Sequence, residues 1–403
     1  MYREVSQPVS DPDALNWDLA DPGFQIDPYQ HYRWLRDEAP VHRLLLPNGR
    51  ELFLISRYDD VREILMDAGT YSSVATQDLT WLAFKDPPDH TRVRRTVSRA
   101  LTDRAIAALD PEVERLTTEF FAYLLDDRGG NAVKFANLLP VGVIAVILGI
   151  PTDSTDKLAR WSLQSLELLG DSLGIPGNDE ARRATAEFIQ YLKEVLAAYY
   201  QQPADNIGSN LVQFAKTGDM SEEEVLSFAQ FLFVAGHETT THSLSSGLGI
   251  LAQDPALFER LKANRELVPP FIEEVLRYRT VLQALGRIAT RDVEIGGVKI
   301  PQGSQLRLSL ANANLDESIF PDAETFDIER DKPTRHMTFG KGIHTCVGAP
   351  LARREMRIGF EHVLNTVKSM RLDPAKAPVP HVGGSTNEHG WDELHVLIEP
   401  EQS

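Results

Sequence analysis

Phe339-Gly340-Lys341-Gly342-Ile343-His344-Thr345-Cys346-Val347-Gly348-Ala349-Pro350-Leu351-Ala352-Arg353 carries the only cysteine of a 403-residue chain, set in a glycine-punctuated loop. Gly340, Gly342 and Gly348 open backbone conformations closed to other residues. Pro350 suits a first helical turn, and Leu351 to Leu364 reads as a helix whose N-terminal amides face the sulfur. The positive end of a helix favours thiolate over thiol. Three readings stay open for such a sulfur: a nucleophile, a metal ligand or an inert small hydrophobe. A structural zinc site would need a second cysteine, and none exists. A nucleophile would have only His344 nearby as its base.

Working outward, 42% hydrophobic and 25% charged residues are enough for a large core and exclude a disordered chain. Forty-one basic against 59 acidic side chains leave a net charge of −18, which repels nucleic acid and anionic membranes and favours small molecules or basic protein patches as partners. Apolar runs such as Val141 to Leu148 fall far short of the ~20 residues that span a bilayer, so no membrane anchor is expected. Met1-Tyr2-Arg3-Glu4-Val5-Ser6 lacks a secretory apolar stretch and a lone cysteine forms no internal disulfide, so a cytoplasmic monomer is expected.

The pattern predicts a mainly α fold with small β-sheets in one large domain over 1–403, preceded by an extended segment over 1–27. Pro28 to Glu38 reads as helix; Val41 to Leu46 and Glu51 to Ile55 read as strands joined at Pro47-Asn48-Gly49. Helical spacing recurs over Asp59 to Ala68, His90 to Leu101, Pro111 to Leu125, Asp156 to Leu168, Glu180 to Gln201 and Ser221 to Gln253. Val293 to Leu310 is strand-rich, and a last strand lies near Glu393 to Ile398. Ser221-Glu222-Glu223-Glu224 is a capping box. In the middle of the helix it opens, Ala235-Gly236-His237-Glu238-Thr239-Thr240-Thr241 breaks helix propensity, which marks either a tolerated polar face or a functional site.

One thiolate suffices as the protein ligand of a heme iron, because the porphyrin supplies four nitrogens and leaves one axial position for oxygen. The cysteine loop resembles the heme-ligand signature of the cytochrome P450 family, Phe-Gly-x-Gly-x-His/Arg-x-Cys-x-Gly-x-x-Leu-Ala-Arg, at every fixed position. Ala235 to Thr240 resembles the family's Ala/Gly-Gly-x-Asp/Glu-Thr-Thr. Glu274-Val275-Leu276-Arg277 resembles its Glu-x-x-Arg, with Arg330 as third member. The resemblance runs from about Pro28 onward in the family's order. It implies the P450 fold, heme b (iron protoporphyrin IX) held by Cys346 as metal ligand, and a monooxygenase that puts one atom of dioxygen into a substrate.

The same resemblance implies roles for further residues. Ala235 and Gly236 would make room for oxygen, Thr239 would hydrogen-bond it, and Glu238 would relay protons. Glu274, Arg277 and Arg330 would form a buried ion cluster fixing the cysteine loop. His90 and Arg94, i and i+4 on one helix face, would bind the heme propionates with Arg287 and His344. Trp81, Leu82, Phe84, Leu169, Val234, Ala235, Val281, Gln283 and Ala284 would border a substrate pocket for a hydrophobic small molecule, with Gln283 as its polar residue.

Electrons are expected from a separate ferredoxin, since no reductase domain follows Ser403. Arg92, Arg95, Arg99, Lys341, Arg354 and Arg357 would form its docking patch, against the bland alternative of a solvated face. The reaction expected is hydroxylation, epoxidation or oxidative demethylation. Two other readings are a heme-binding recruitment or sensor protein and a peroxide-driven peroxygenase; the intact Glu238-Thr239 pair argues against both.

Overall fold

The helix Glu222–Gln253 organises the molecule. Its capping box closes as the sequence implies: Glu224 N donates to Ser221 Oγ at 3.1 Å and Ser221 N donates to the Glu224 carboxylate at 2.9 Å. The computed structural model describes residues 22–45, 49, 51–74, 80–168, 178–381 and 388–401. Around the long helix pack Ala132–Leu148, Thr155–Glu167, Asp179–Gln201 and Ala349–Thr366. Serine and threonine in a buried helix need partners for their hydroxyls. Thr239, Thr241 and Ser243 find them on the carbonyls of Ala235, His237 and Thr239, four residues back along the same helix.

A second apolar core lies under a five-stranded sheet ordered Val41–Leu45, Glu51–Ile55, Gln305–Ser309, Ala284–Ala289, Tyr71–Ser72. Only the pairing of Glu51–Ile55 with Gln305–Ser309 is parallel. Three smaller sheets complete the described strands, among them Val379–Pro380 paired with Trp391–Glu393. Among the described residues no helix is long and apolar enough to cross a membrane.

The expected helices are present with ends moved by a residue or two, but others that the spacing did not predict are added, among them Ala132–Leu148, Ile207–Thr217 and Pro255–Ala263. Ala132–Leu148 is buried on nearly all sides, so it has no polar face to give its sequence a helical period. The expected extended start needs correction as well. Residues 1–21 lie outside the described residues, and Pro22–Ile26 is a short helix whose Phe24 ring packs edge-on against His31 at 4.8 Å.

Candidate active site

The cysteine loop is tightly turned. Cys346 N donates to Phe339 O at 2.9 Å and Gly340 N to Met337 O at 2.7 Å. Gly340 and Gly342 have φ of 66° and 71°, and a Cβ at Gly342 would overlap the carbonyl oxygen of Leu65. The amides of Gly348 and Ala349, at the start of Ala349–Thr366, donate to the Cys346 sulfur as expected. Burial nonetheless outweighs their pull and that of Arg94, and raises the free thiol's pKa; the helix field alone does not make the thiolate, which corrects the simpler expectation. Cys346 is exposed, although protein packed around it penalises a charged sulfur.

Two ion clusters anchor this loop. Arg277 is fully buried and uses all five of its N–H groups: Nε and Nη2 on Glu274 at 2.7 and 2.6 Å, and the rest on the carbonyls of Asn314, Ala323 and Thr325 at 2.8, 2.7 and 3.2 Å. Arg330 joins at 3.4 Å from Glu274. Asn314 passes the constraint on, because its side chain accepts from Met337 N at 2.6 Å and donates to Thr338 Oγ1 at 2.9 Å. The second cluster was missed in the sequence: Glu273 receives a bidentate pair from Arg353 at 2.6 and 2.9 Å and lies 3.0 Å from His336. Arg353 also covers the Phe339 ring at 4.5 Å. Its clue was available, since Arg353 ends the quoted stretch and Glu273 precedes Glu274.

Near the sulfur the structure gathers His90, Arg94, Arg287 and His344. The rings of His90 and His344 are 4.2 Å apart, and both nitrogens of buried His90 have no hydrogen-bond partner. Arg287 is buried; its one recorded side-chain bond runs to the Gly286 carbonyl at 2.7 Å. Burial lowers its pKa to about 10, with Asp86 opposing. Burial and the neighbouring Arg287, His90 and Arg94 hold His344 neutral, down to about 3. Such crowding of donors and cations calls for an anionic partner.

The buried stretch of the long helix is broken at one place. From Leu232 to Ala252 every residue is buried except Ala235, Gly236 and Thr239, which share a helix face. Thr239 Oγ1 donates to Ala235 O at 2.8 Å. Glu238 is buried beside it, with His242 Nε2 at 3.4 Å and His237 Nδ1 at 3.7 Å. Burial would raise its pKa, but His242, close by at 3.4 Å, and the nearby His237 and His381 bring it below the ordinary carboxylate range.

The family model for Cytochrome P450 matches residues 162–380. The chain is a cytochrome P450. It is 34% identical to the cytochrome P450 monooxygenase PikC of Streptomyces venezuelae over 92% of this chain and 89% of that one. It is 33% identical to the mycinamicin IV hydroxylase/epoxidase of Micromonospora griseorubida over 85% and 88%. The crystal structure of CYP109E1 from Bacillus megaterium in complex with testosterone is similar with a TM-score of 0.84 at 33% identity, covering 94% of this chain and 99% of that one. The P450 is accordingly a bacterial monooxygenase that binds heme. Its residues fit the cofactor: one sulfur is exposed, and the unpartnered nitrogens of His90 with Arg94, Arg287 and His344 would suit two carboxylates.

Other expected site residues fall less simply in this P450. Trp81, Leu82, Val234, Val281 and Ala284 are buried, Phe84 is half-buried and stacks on Trp81 at 6.3 Å, and Leu169 lies outside the described residues. Gln283 is not a free polar group for a ligand. Its Oε1 accepts from Tyr32 at 2.8 Å and its amide donates to Thr280 O, so it ties the N-terminal helix to the core. The polar groups that gather beside Glu238 are instead His242, His381 and Glu388, none singled out in the sequence because they are far apart along the chain.

The expected docking patch also changes. Arg92 pairs with Glu224, Arg99 with Asp219 at 3.1 Å, and Arg354 with Asp110, so these three charges are neutralised within the chain. Arg95 and Arg357 are exposed. Burial lowers the pKa of half-buried Lys341, and so do nearby Arg62, Arg353 and Arg335. Arg62 and Arg335 are exposed, giving a cationic surface beside the cysteine loop that sequence spacing did not join.

Proposed function

We propose that this P450 inserts one oxygen atom of dioxygen into a hydrophobic small molecule, by hydroxylation, epoxidation or oxidative demethylation, with electrons delivered singly by a ferredoxin. The observation that carries the reading is the break in burial at Ala235, Gly236 and Thr239 within the otherwise buried stretch Leu232 to Ala252, with buried Glu238 adjoining it. Two electrons and two protons then balance one oxygenated product and one water. Heme held by Cys346 supplies the iron at which dioxygen is reduced.

The small side chain of Ala235 leaves room over the helix, while Gly236 lets Ile144 pack close, its Cδ1 2.8 Å from where a Cβ would sit. While Thr239 Oγ1 donates to Ala235 O, its lone pairs still accept a hydrogen bond from a proton-bearing oxygen beside the helix. Glu238 stores or passes the proton by moving between His242 and the Thr239 side of the helix. His90, Arg94, Arg287 and His344 bind the propionates, and Glu274, Arg277 and Arg330 hold the loop of Cys346. The names of PikC and of the mycinamicin IV hydroxylase/epoxidase support hydroxylation and epoxidation.

The test begins with a spectral titration of the ferric enzyme against a library of hydrophobic compounds, followed by turnover of a hit under isotope-labelled dioxygen with ferredoxin, its reductase and a nicotinamide cofactor. Product should carry one labelled atom, and Thr239→Ala should divert reducing equivalents to hydrogen peroxide without loss of heme or substrate binding. Label-free product, or full turnover on peroxide with unchanged coupling in Thr239→Ala, would reject the proposal in favour of a peroxygenase.

A further inference from the structure

We propose that Glu238, His242, His381 and Glu388 form a second metal site, separate from the heme ligand and suited to zinc. One nitrogen or oxygen from each of the four lies within 4.8 Å of one from every other. Glu238 and His242 are i and i+4 on the long helix and therefore share a face. The other two come from the C-terminal region: His381 N donates to Gly390 O at 3.0 Å, and Glu388 bridges to Leu282. This region reaches the helix because position 390 is glycine; a Cβ there would overlap the ring of His242.

The donor set is built for a cation. His242 is 3% exposed and neither of its ring nitrogens has a hydrogen-bond partner, although Nε2 lies 3.4 Å from Glu238. Burying an imidazole with both nitrogens unbonded is costly unless something binds there. His381 Nδ1 lies 2.7 Å from Asp392 Oδ1, and a proton held in that contact leaves Nε2 as a lone-pair donor. A carboxylate behind a ligating histidine is a usual second layer of zinc sites.

Two carboxylates, Glu238 and Glu388, balance a divalent charge. Two nitrogens and two oxygens suit tetrahedral zinc, whose bonds of about 2.0 to 2.2 Å put ligand atoms about 3.4 Å apart. Closing from a 4.8 Å edge moves each atom inward by at most about 0.9 Å, within reach of side-chain rotation. Calcium and magnesium prefer oxygen-only shells and fit less well. Zinc here would fix the Glu238 carboxylate and remove its freedom to move protons.

The test uses the heme-loaded enzyme, stripped of loose metal and equilibrated against zinc chloride, with zinc and iron measured by mass spectrometry. One zinc per heme iron is expected at micromolar free zinc, with two imidazole nitrogens and two oxygens in its X-ray absorption spectrum. His242→Gln, His381→Gln and Glu388→Gln should each weaken binding by about tenfold or more. His395→Gln, altering a half-buried histidine outside the cluster, should not. Heme content and the carbon monoxide spectrum confirm folding in each variant. Because the readout is zinc content, failure here leaves the monooxygenase reading standing. Absence of stoichiometric zinc at about 100 μM, or unchanged affinity in properly folded His381→Gln and Glu388→Gln, would overturn the site.

Discussion

Replacing Arg277 with lysine tests whether the buried ion cluster, rather than the loop's own turns, holds Cys346 in place. Charge is kept, but five donors become three. Of the five bonds, two go to Glu274 and three to the carbonyls of Asn314, Ala323 and Thr325. A lysine nitrogen can satisfy Glu274 and at most two carbonyls, and it cannot make the bidentate pair. Hydrogen bonds to a charged group contribute about 1.5 to 3 kcal/mol each, so losing two costs about 3 to 6 kcal/mol. That is a large share of the ~5 to 15 kcal/mol by which folded domains are stable. The damage should appear first in the cysteine loop, because Asn314 links Arg277 to Met337 N at 2.6 Å. Urea unfolding and heme content on the same preparation measure both. Stability within about 0.5 kcal/mol of wild type with full heme content would refute the argument, since that is the size of an ordinary surface change.

Three further outcomes are expected. Glu273, held by Arg353 and His336 against the upward push of burial, has its pKa lowered from 4.5 to about 2. A carboxylate depressed on folding stabilises above its unfolded value and loses that contribution as pH falls toward its folded one, here at most about 3 kcal/mol between pH 4.5 and about 2. Glu273→Gln should therefore destabilise at neutral pH and flatten the acid slope; an unchanged slope in urea midpoints sinks the assignment. Gly342→Ala combines φ of 71° with overlap on Leu65 O and should cost more than the roughly 1 to 2 kcal/mol of a left-handed alanine, whereas Gly303→Ala, at φ 83° in open space, should cost only about that; equal midpoints would remove the steric argument. Arg62→Glu with Arg335→Glu should slow reduction by an acidic ferredoxin at low salt and lose the effect as screening rises, while heme and substrate titrations stay unchanged. Salt-independent kinetics in the wild type would leave this surface without a partner.

What the sequence made legible follows from where the physics is local. The cysteine loop could be read because its demands are met by neighbours in the chain: glycines at positive φ, a helix start, and one sulfur. The same holds for Ser221 and Glu224, whose capping box needs three residues of separation and nothing else. Ala132–Leu148 escaped because uniform burial erases the polar face that periodicity depends on. Side-chain partnership across the chain was beyond spacing. Arg92 and Arg99 share a helix face as expected, yet Glu224 and Asp219, more than a hundred residues away, take their charges. Gln283 looked like a ligand group until Tyr32, 251 residues distant, proved to hold it. Glu238 shows both limits in one residue: its motif announced a proton carrier, while His381 and Glu388 arrive only through the fold, admitted by the missing side chain of Gly390. A group that must exchange protons has thus been placed among ligands able to hold it still, so the freedom of its carboxylate depends on what occupies that cluster.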